Sequence, residues 1–349
     1  MAMSIVESTR PILGGVDTHA DVHVAAAVDA QGGVLGVESF PSTRSGFVAL
    51  HAWLVGFGSL DRVGVEGTGA YGAGLARYLR GRDLQVIEVD RANRQLRRRA
   101  GKSDTIDAIE AARAVLSGRA SGLSKSADGN VEAIRALLIA KRSGRETRIR
   151  CLNQIRHLGF TAPDTLRERL RGVPRKRLAR CVATLRPTVG SDPVLFATKL
   201  ALRTLGRQVL DLEEAARGLD ATLGQLVRTT APSLLELDGV GIDTAAILLV
   251  AAGDNATRVR SEAAWANLCG VAPLPATSGK RTERHRLNRG GNRQANHALW
   301  RIVFTRMSSD DRTRAYVTRR IAEGRSKPEI MRALKRYVAR ETYQHLPTT

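Results

Sequence analysis

Ile12-Leu13-Gly14-Gly15-Val16-Asp17 is a short apolar run that ends on an acid, and Arg62-Val63-Gly64-Val65-Glu66 has the same form. Both read as strands. Val22 to Val28 and Val34 to Phe40 are two more, with Gln31-Gly32-Gly33 between them as a hairpin turn. Thr43 to Val55 and Ala70 to Arg80 read as helices, and Leu84 to Val89 as a fifth strand. Three hairpin-linked strands followed by strand, helix and strand predict a mixed α/β sheet with helices packed on it.

From Asp104 onward the pattern is helical. Thr105 to Leu116 and Val131 to Leu158 carry apolar residues at helical spacing with Arg and Lys between them. Val173-Pro174 and the stretch Pro187 to Pro193 break the pattern, and Val194 to Val227 resumes it. These long helices make an antiparallel, coiled-coil-like arm or an ordinary bundle, and apolar spacing does not distinguish the two. After Ala231-Pro232, two helices flank a Gly239-Val240-Gly241 hairpin. Glycines there let backbone N–H groups approach a phosphate beside a helix N-terminus, as in a helix-hairpin-helix. The competing reading is an ordinary helical turn with a glycine C-cap. The expected domains are 1–160 (α/β), 161–230 (helical arm) and 231–345 (mainly α-helical).

The charge has a direction. There are 55 Lys+Arg against 34 Asp+Glu, a net +21, so a polyanionic partner is expected. Residues 1–90 hold only 6 of the basic residues and 10 of the acids, leaving a net +25 for the rest. Such a division suits a nuclease, in which carboxylates gather cations at one place and Lys/Arg hold phosphates elsewhere. Aromatics are 4%, which argues against single-strand binding by base stacking. Cys151, Cys181 and Cys269 are far apart and form no C-x-x-C pair, so neither a disulfide framework nor structural zinc is expected, and a reducing cytoplasm fits. No secretory signal and no membrane span is expected.

Four acids stand out. Asp17 and Glu66 end strands one and four; Asp104 and Asp107 are three apart at the start of a helix and share one face. The element order is that of the ribonuclease-H-like fold, in which strands one and four lie side by side. Four carboxylates then converge, enough to hold two Mg2+ or Mn2+ ions about 4 Å apart. Taken singly, each acid has a plainer reading: Asp104 as a helix N-cap beside Ser103, Glu66 in a turn, Asp17 at the hairpin. His19 and His23 are four apart, but in a strand-turn-strand that spacing does not share a face, so both are expected to be ordinary surface histidines.

Three segments, Gly15-Val16-Asp17-Thr18-His19, Val65-Glu66-Gly67-Thr68-Gly69 and Lys102-Ser103-Asp104-Thr105-Ile106-Asp107-Ala108, resemble the DEDD transposases of bacterial insertion sequences, the insertion sequence one-ten group. The N-terminal domain of that group is similar to the Holliday-junction resolvase RuvC. The C-terminal third resembles the group's transposase domain through Leu268-Cys269-Gly270-Val271-Ala272-Pro273, Ala276-Thr277-Ser278-Gly279-Lys280 and Arg289-Gly290-Gly291-Asn292-Arg293-Gln294-Ala295-Asn296-His297-Ala298-Leu299. The resemblance implies a nucleophilic serine at Ser278, next to the hydroxyl of Thr277. It also implies a site composed from two protomers, hence a homo-oligomer (dimer or tetramer), and a structured non-coding guide RNA that selects double-stranded donor and target DNA. Around Ser278, the residues Lys280, Arg281, Arg284, Arg286, Arg289 and Arg293 are candidates for clamping phosphates, against a plainer reading as a solvated basic loop.

Two other readings compete. A RuvC-like endonuclease that only hydrolyses DNA junctions accounts for the acids but leaves the C-terminal domain without a role. A non-catalytic nucleic-acid-binding protein accounts for the charge but not for the acids.

Overall fold

β1 (Pro11–Thr18) is the centre of a five-stranded sheet. It pairs antiparallel with β2 (Val22–Asp29), which pairs antiparallel with β3 (Val34–Pro41). On its other edge it pairs parallel with β4 (Ser59–Glu66), and β4 pairs parallel with β5 (Gln85–Val89). The order β3-β2-β1-β4-β5 is the ribonuclease-H-like order expected from the sequence. The computed structural model describes residues 10–89, 103–190, 192–275, 285–286 and 288–347. Among these, no helix is long and apolar enough to cross a membrane.

Side chains alternate across the sheet with period two. Val16, Ala25, Ala27, Val63, Val65 and Val86 form one buried face with Leu50 and Leu54 of α1 (Arg44–Val55) and Leu75 and Leu79 of α2 (Ala73–Arg80). Each of those four fully buried leucines contributes about 1.5–3 kcal/mol by leaving water. Leu13, Val24, Ala26, Val28, Ile87 and Val89 form the opposite face, covered by Ala108, Ala111, Ala112 and Val115 of α3 (Asp104–Leu116). The helix lies very close to the strands. A Cβ on Gly15 would fall 2.3 Å from the Ala112 nitrogen, and one on Gly64 would fall 2.7 Å from the Ala111 oxygen. Glycines in the strands and alanines in the helix are the sequence's device for that approach. α2 begins three residues later than expected, because the chain from Gly67 (φ +73°) to Gly72 is a turn whose Ala70 and Gly72 N–H groups both donate to the Gly67 carbonyl.

The chain divides into two compact units, one of Met1–Gly129 with Ala252–Ala264, the other of Asn130–Ala251 with Trp265–Pro347. The first unit closes at Gly129. It also takes back a later segment, where Asn255 Nδ2 donates to the Ser124 carbonyl at 3.0 Å and Arg258 lies 3.6 Å from Glu88.

In the second unit, α4 (Asn130–Thr161) packs along α7 (Pro193–Thr230). Lys141 bonds Asp220, and Arg148 donates to Glu213 at 2.6 and 2.8 Å. Partner numbers fall as α4 advances, so the pair is antiparallel. It is also part of a bundle: Cys151, Ile155, Leu202 and Val209 share one core with Leu166 of α5 (Asp164–Arg171) and Val182 of α6 (Arg175–Ala183). Those two short helices fill the stretch where the prolines break the long pattern. Next come α8 (Pro232–Leu235), α9 (Ile242–Ala252), whose last residue falls in the first unit, and α10 (Glu262–Leu268), which starts in the first unit and continues into the second from Trp265. β6 (Leu274–Pro275) pairs with β7 (His285–Arg286), and α11 (Arg293–Ser309), α12 (Asp311–Ala322) and α13 (Lys327–Gln344) close the chain. Trp265 is fully buried in the second unit and donates Nε1 to Thr342 Oγ1 at 3.2 Å.

Candidate metal centre and nucleic-acid interface

Asp17 has the same parity in β1 as Leu13 and Gly15, so its side chain emerges on the α3 face. Glu66 has the same parity in β4 as Gly64, so it emerges on that face too. The parallel register pairs Val16 with Val65, which puts Asp17 and Glu66 one rung further on, side by side at the carboxyl ends of neighbouring strands. Thr18 Oγ1 ties the two ends together by donating to the Glu66 carbonyl at 2.7 Å. The first turn of α3, carrying Asp104 and Asp107, lies over the same face. Ser103 is the N-cap by position, with no side-chain cap bond, and Asp104 is the first helical residue rather than the cap.

His19 completes the cluster. Its Nε2 lies 3.1 Å from Asp17 Oδ2 and 3.3 Å from Asp104 Oδ1. Ligand atoms of Asp17, His19 and Asp104 all lie within 4.8 Å of one another. Burial pushes the Asp17 carboxyl above its ordinary range; His19 pulls it down, and Asp107 and Asp104 push it up again. Asp17 and Asp107 are buried, whereas Asp104 and His19 face solvent over half their area or less. A buried carboxylate with two acidic neighbours is an arrangement a cation relieves. A donor set rich in carboxylate oxygen suits a hard divalent ion of the Mg2+ or Mn2+ kind.

The expectation of two surface histidines is corrected on both counts. His19, one residue past the end of β1, belongs to the acid cluster through its contacts with Asp17 and Asp104. His23 is completely buried, stacked on Phe47 at 5.6 Å and 6°, because its parity in β2 puts it with Ala25 and Ala27 under α1.

Comparison with known proteins agrees with this geometry. The model of the DEDD transposases of IS110 elements matches residues 14–158, and that of the IS116/IS110/IS902 transposase family matches residues 231–318. The chain belongs to the IS110 family of DEDD transposases. Among its relatives is the insertion element IS110 uncharacterized 43.6 kDa protein of Streptomyces coelicolor, 32% identical over 139 residues, 39% of this chain and 34% of that protein. Another is the insertion element IS900 uncharacterized 42 kDa protein of Mycobacterium paratuberculosis, 26% identical over 192 residues, 51% of this chain and 48% of that protein. The matches thus span between a third and a half of the curated relatives' length.

Within this IS110-family chain the second unit carries the basic features. Gly239 has φ +73° and Gly241 is exposed, both in the turn between α8 and α9. α8 is a single turn, so the motif is a short helix, a glycine hairpin and a long helix. The turn borders a cavity of about 700 Å³ whose lining includes Arg228 of α7 and Arg301 and Thr305 of α11. Lys141, also in the lining, bonds both Asp220 and Asp243. Arg228 and Arg301 are exposed and make no ion pair among the described residues. Nothing in their spacing signalled them, because helices distant in sequence bring them together.

Ser278, Lys280, Arg281 and Arg284 lie outside the described residues. Arg286 is placed by its backbone, paired with Leu274. Arg289 and Arg293 are exposed, Arg293 at the first position of α11.

Proposed function

We propose that this chain is a DNA transposase that cuts and rejoins phosphodiester bonds, with Asp17, Glu66, Asp104 and Asp107 holding one or two Mg2+ or Mn2+ ions and Ser278 acting as nucleophile. The observation that carries this reading is the gathering of Asp17, His19 and Asp104 within 4.8 Å, where the sheet face that presents Glu66 meets the first turn of α3 that carries Asp107. A divalent ion held there stabilises charge on a transferring phosphoryl group. His19 bonds both Asp17 and Asp104 and keeps the two carboxylates aimed at one point.

In the serine step, the Ser278 oxygen bonds the scissile phosphorus as the bond from phosphorus to the leaving sugar oxygen breaks. The serine proton ends on that departing oxygen. Attack by a second strand's hydroxyl reverses the step, returning the proton to Ser278 and conserving one phosphoester bond throughout, so rejoining needs no ATP. Family membership supports a site assembled from two protomers, hence a homo-oligomer, and a structured RNA that selects donor and target DNA. The net +25 beyond residue 90 supports a nucleic-acid partner of either kind.

The test is cleavage of labelled duplex DNA with Mg2+ or Mn2+ by the wild-type chain and by Asp17→Asn. DNA binding is expected to survive in the variant and cleavage to disappear. Wild-type cleavage by Asp17→Asn removes the acid cluster from the chemistry.

A further inference from the structure

The face of α11 opposite its buried residues carries a stack of rings. His297 and Trp300 have centroids 5.6 Å apart at 24°, and Trp300 and Phe304 are 5.2 Å apart at 20°. The spacing i, i+3, i+7 puts all three on one stripe, while Ala295, Ala298, Leu299, Ile302 and Val303 are buried. Phe304 is 61% exposed and Trp300 38%. Apolar side chains of this size normally leave water, and here nearly parallel rings are left in it.

We infer that this stripe binds unpaired DNA, with bases continuing the His297–Trp300–Phe304 stack and the sugar-phosphate chain running over the flanking arginines. Near-parallel rings end in flat π-faces, on which a base stacks whatever its sequence. The charge beside the rings is of the matching sign. Arg293 is one turn before His297 on the stripe, and Arg301, one residue on from Trp300, turns toward the cavity that Arg228 and Thr305 also line. A second copy of the chain is a poorer occupant. Three partly exposed rings offer a few hundred Å2, against the roughly 1,200 Å2 or more that a stable interface buries. The low aromatic content argued against stacking, but a whole-chain figure does not register that three rings share one exposed stripe. The inference rests on the reading of this chain as one that acts on DNA, in which strands must leave their duplex to be exchanged.

The experiment uses the full chain with a metal chelator present, so that no strand is cut. Binding is measured to fluorescein-labelled oligothymidylate, to a duplex of equal length, to an abasic sugar-phosphate strand and to oligouridylate. Phe304→Ala and Trp300→Ala are each expected to weaken oligothymidylate binding by about tenfold. Affinity for the duplex and for the abasic strand is expected to stay unchanged, and Phe304→Tyr to bind as wild type. Unchanged oligothymidylate binding in both alanine variants overturns the inference, as does an equal loss on duplex. A loss confined to oligouridylate overturns it in favour of an RNA surface. Dissociation of a wild-type oligomer by Phe304→Ala, with strand affinity unchanged, overturns it in favour of a contact between copies. These readouts are separate from cleavage, so failure here leaves the Asp17 test standing, and failure there leaves the stacking result standing.

Discussion

The Cβ that Gly15 lacks would fall 2.2 Å from the carbonyl oxygen of Ala108. β1 and α3 thus touch backbone to backbone, at the place where one delivers Asp17 and the other Asp104 and Asp107. A side chain there must push the helix off the strand. Gly15→Ala is expected to cost about 3 kcal/mol of stability, as overpacking does, and to weaken Mn2+ binding by parting the acids. Gly122→Ala, with nothing within 4 Å of the added carbon, is the control and is expected to be neutral. Urea denaturation and Mn2+ titration check both.

The positions of the acids were legible because strand parity and strand adjacency are local or topological properties. Asp17 and Glu66 each close an apolar run, and a sheet of this order puts those runs side by side. The spacing of His19 to His23 does not reveal its place; it sits just past the end of β1, where the chain sets it against Asp17 and Asp104. His23 was misread because one polar residue in an apolar strand looks the same from sequence whether it faces water or Phe47. The cavity arginines were illegible for another reason. Arg228 and Arg301 meet through the packing of helices far apart in sequence, which no local period encodes. The two long helices were legible from their apolar spacing, but not which surfaces they cover, since an apolar stripe does not name the surface it will meet.

Burial and two acidic neighbours raise the Asp17 carboxyl above 3.8, with His19 opposing them. A raised carboxyl favours the native state fully below the unfolded value, and that advantage is lost as pH rises through the folded value. At neutral pH, therefore, the ionised Asp17 lowers the stability of the metal-free chain. Asp17→Asn is expected to melt higher than wild type at pH 7 in the presence of a chelator, with the gap closing as pH falls through the folded value toward 3.8. Added Mn2+ is expected to raise the melting temperature of wild type and not of the variant. A variant that melts lower at pH 7 without metal means the His19 bonds outweigh the burial cost. Thermal melts over a pH series decide it.

Arg228 and Arg301 make no ion pair among the described residues and border the Gly239–Gly241 turn. If they neutralise phosphates, each lost contact lowers the slope of log affinity against log salt by about 0.9. Duplex binding by Arg228→Ala and Arg301→Ala is expected to weaken alike on unrelated sequences, and the double variant to flatten the slope by about 1.8. Asp243→Asn, which frees Lys141 from one partner, is expected to strengthen binding. Unaltered slopes place the phosphate contacts elsewhere in the basic region.

Ser278 and Thr277 are neighbouring hydroxyls, and only one can be the nucleophile of a serine transfer. Ser278→Ala keeps the backbone and nearly all the volume, so DNA binding is expected to persist while strand joining is lost. A covalent intermediate is expected on wild type and absent in Ser278→Ala, with the matched control Thr277→Ala milder in its effect. The acid cluster is untouched by these changes, so any nicking that remains in Ser278→Ala is hydrolysis at Asp17, Glu66, Asp104 and Asp107. The readout is a denaturing gel of protein incubated with labelled donor and target DNA and the element's RNA, followed by mass mapping of any linked peptide. An adduct on Thr277 moves the nucleophile by one residue. Full joining by Ser278→Ala ends the serine proposal. Hydrolysis by the wild type with no adduct at all makes the chain a RuvC-like junction endonuclease, because the carboxylate cluster alone is sufficient for that reaction.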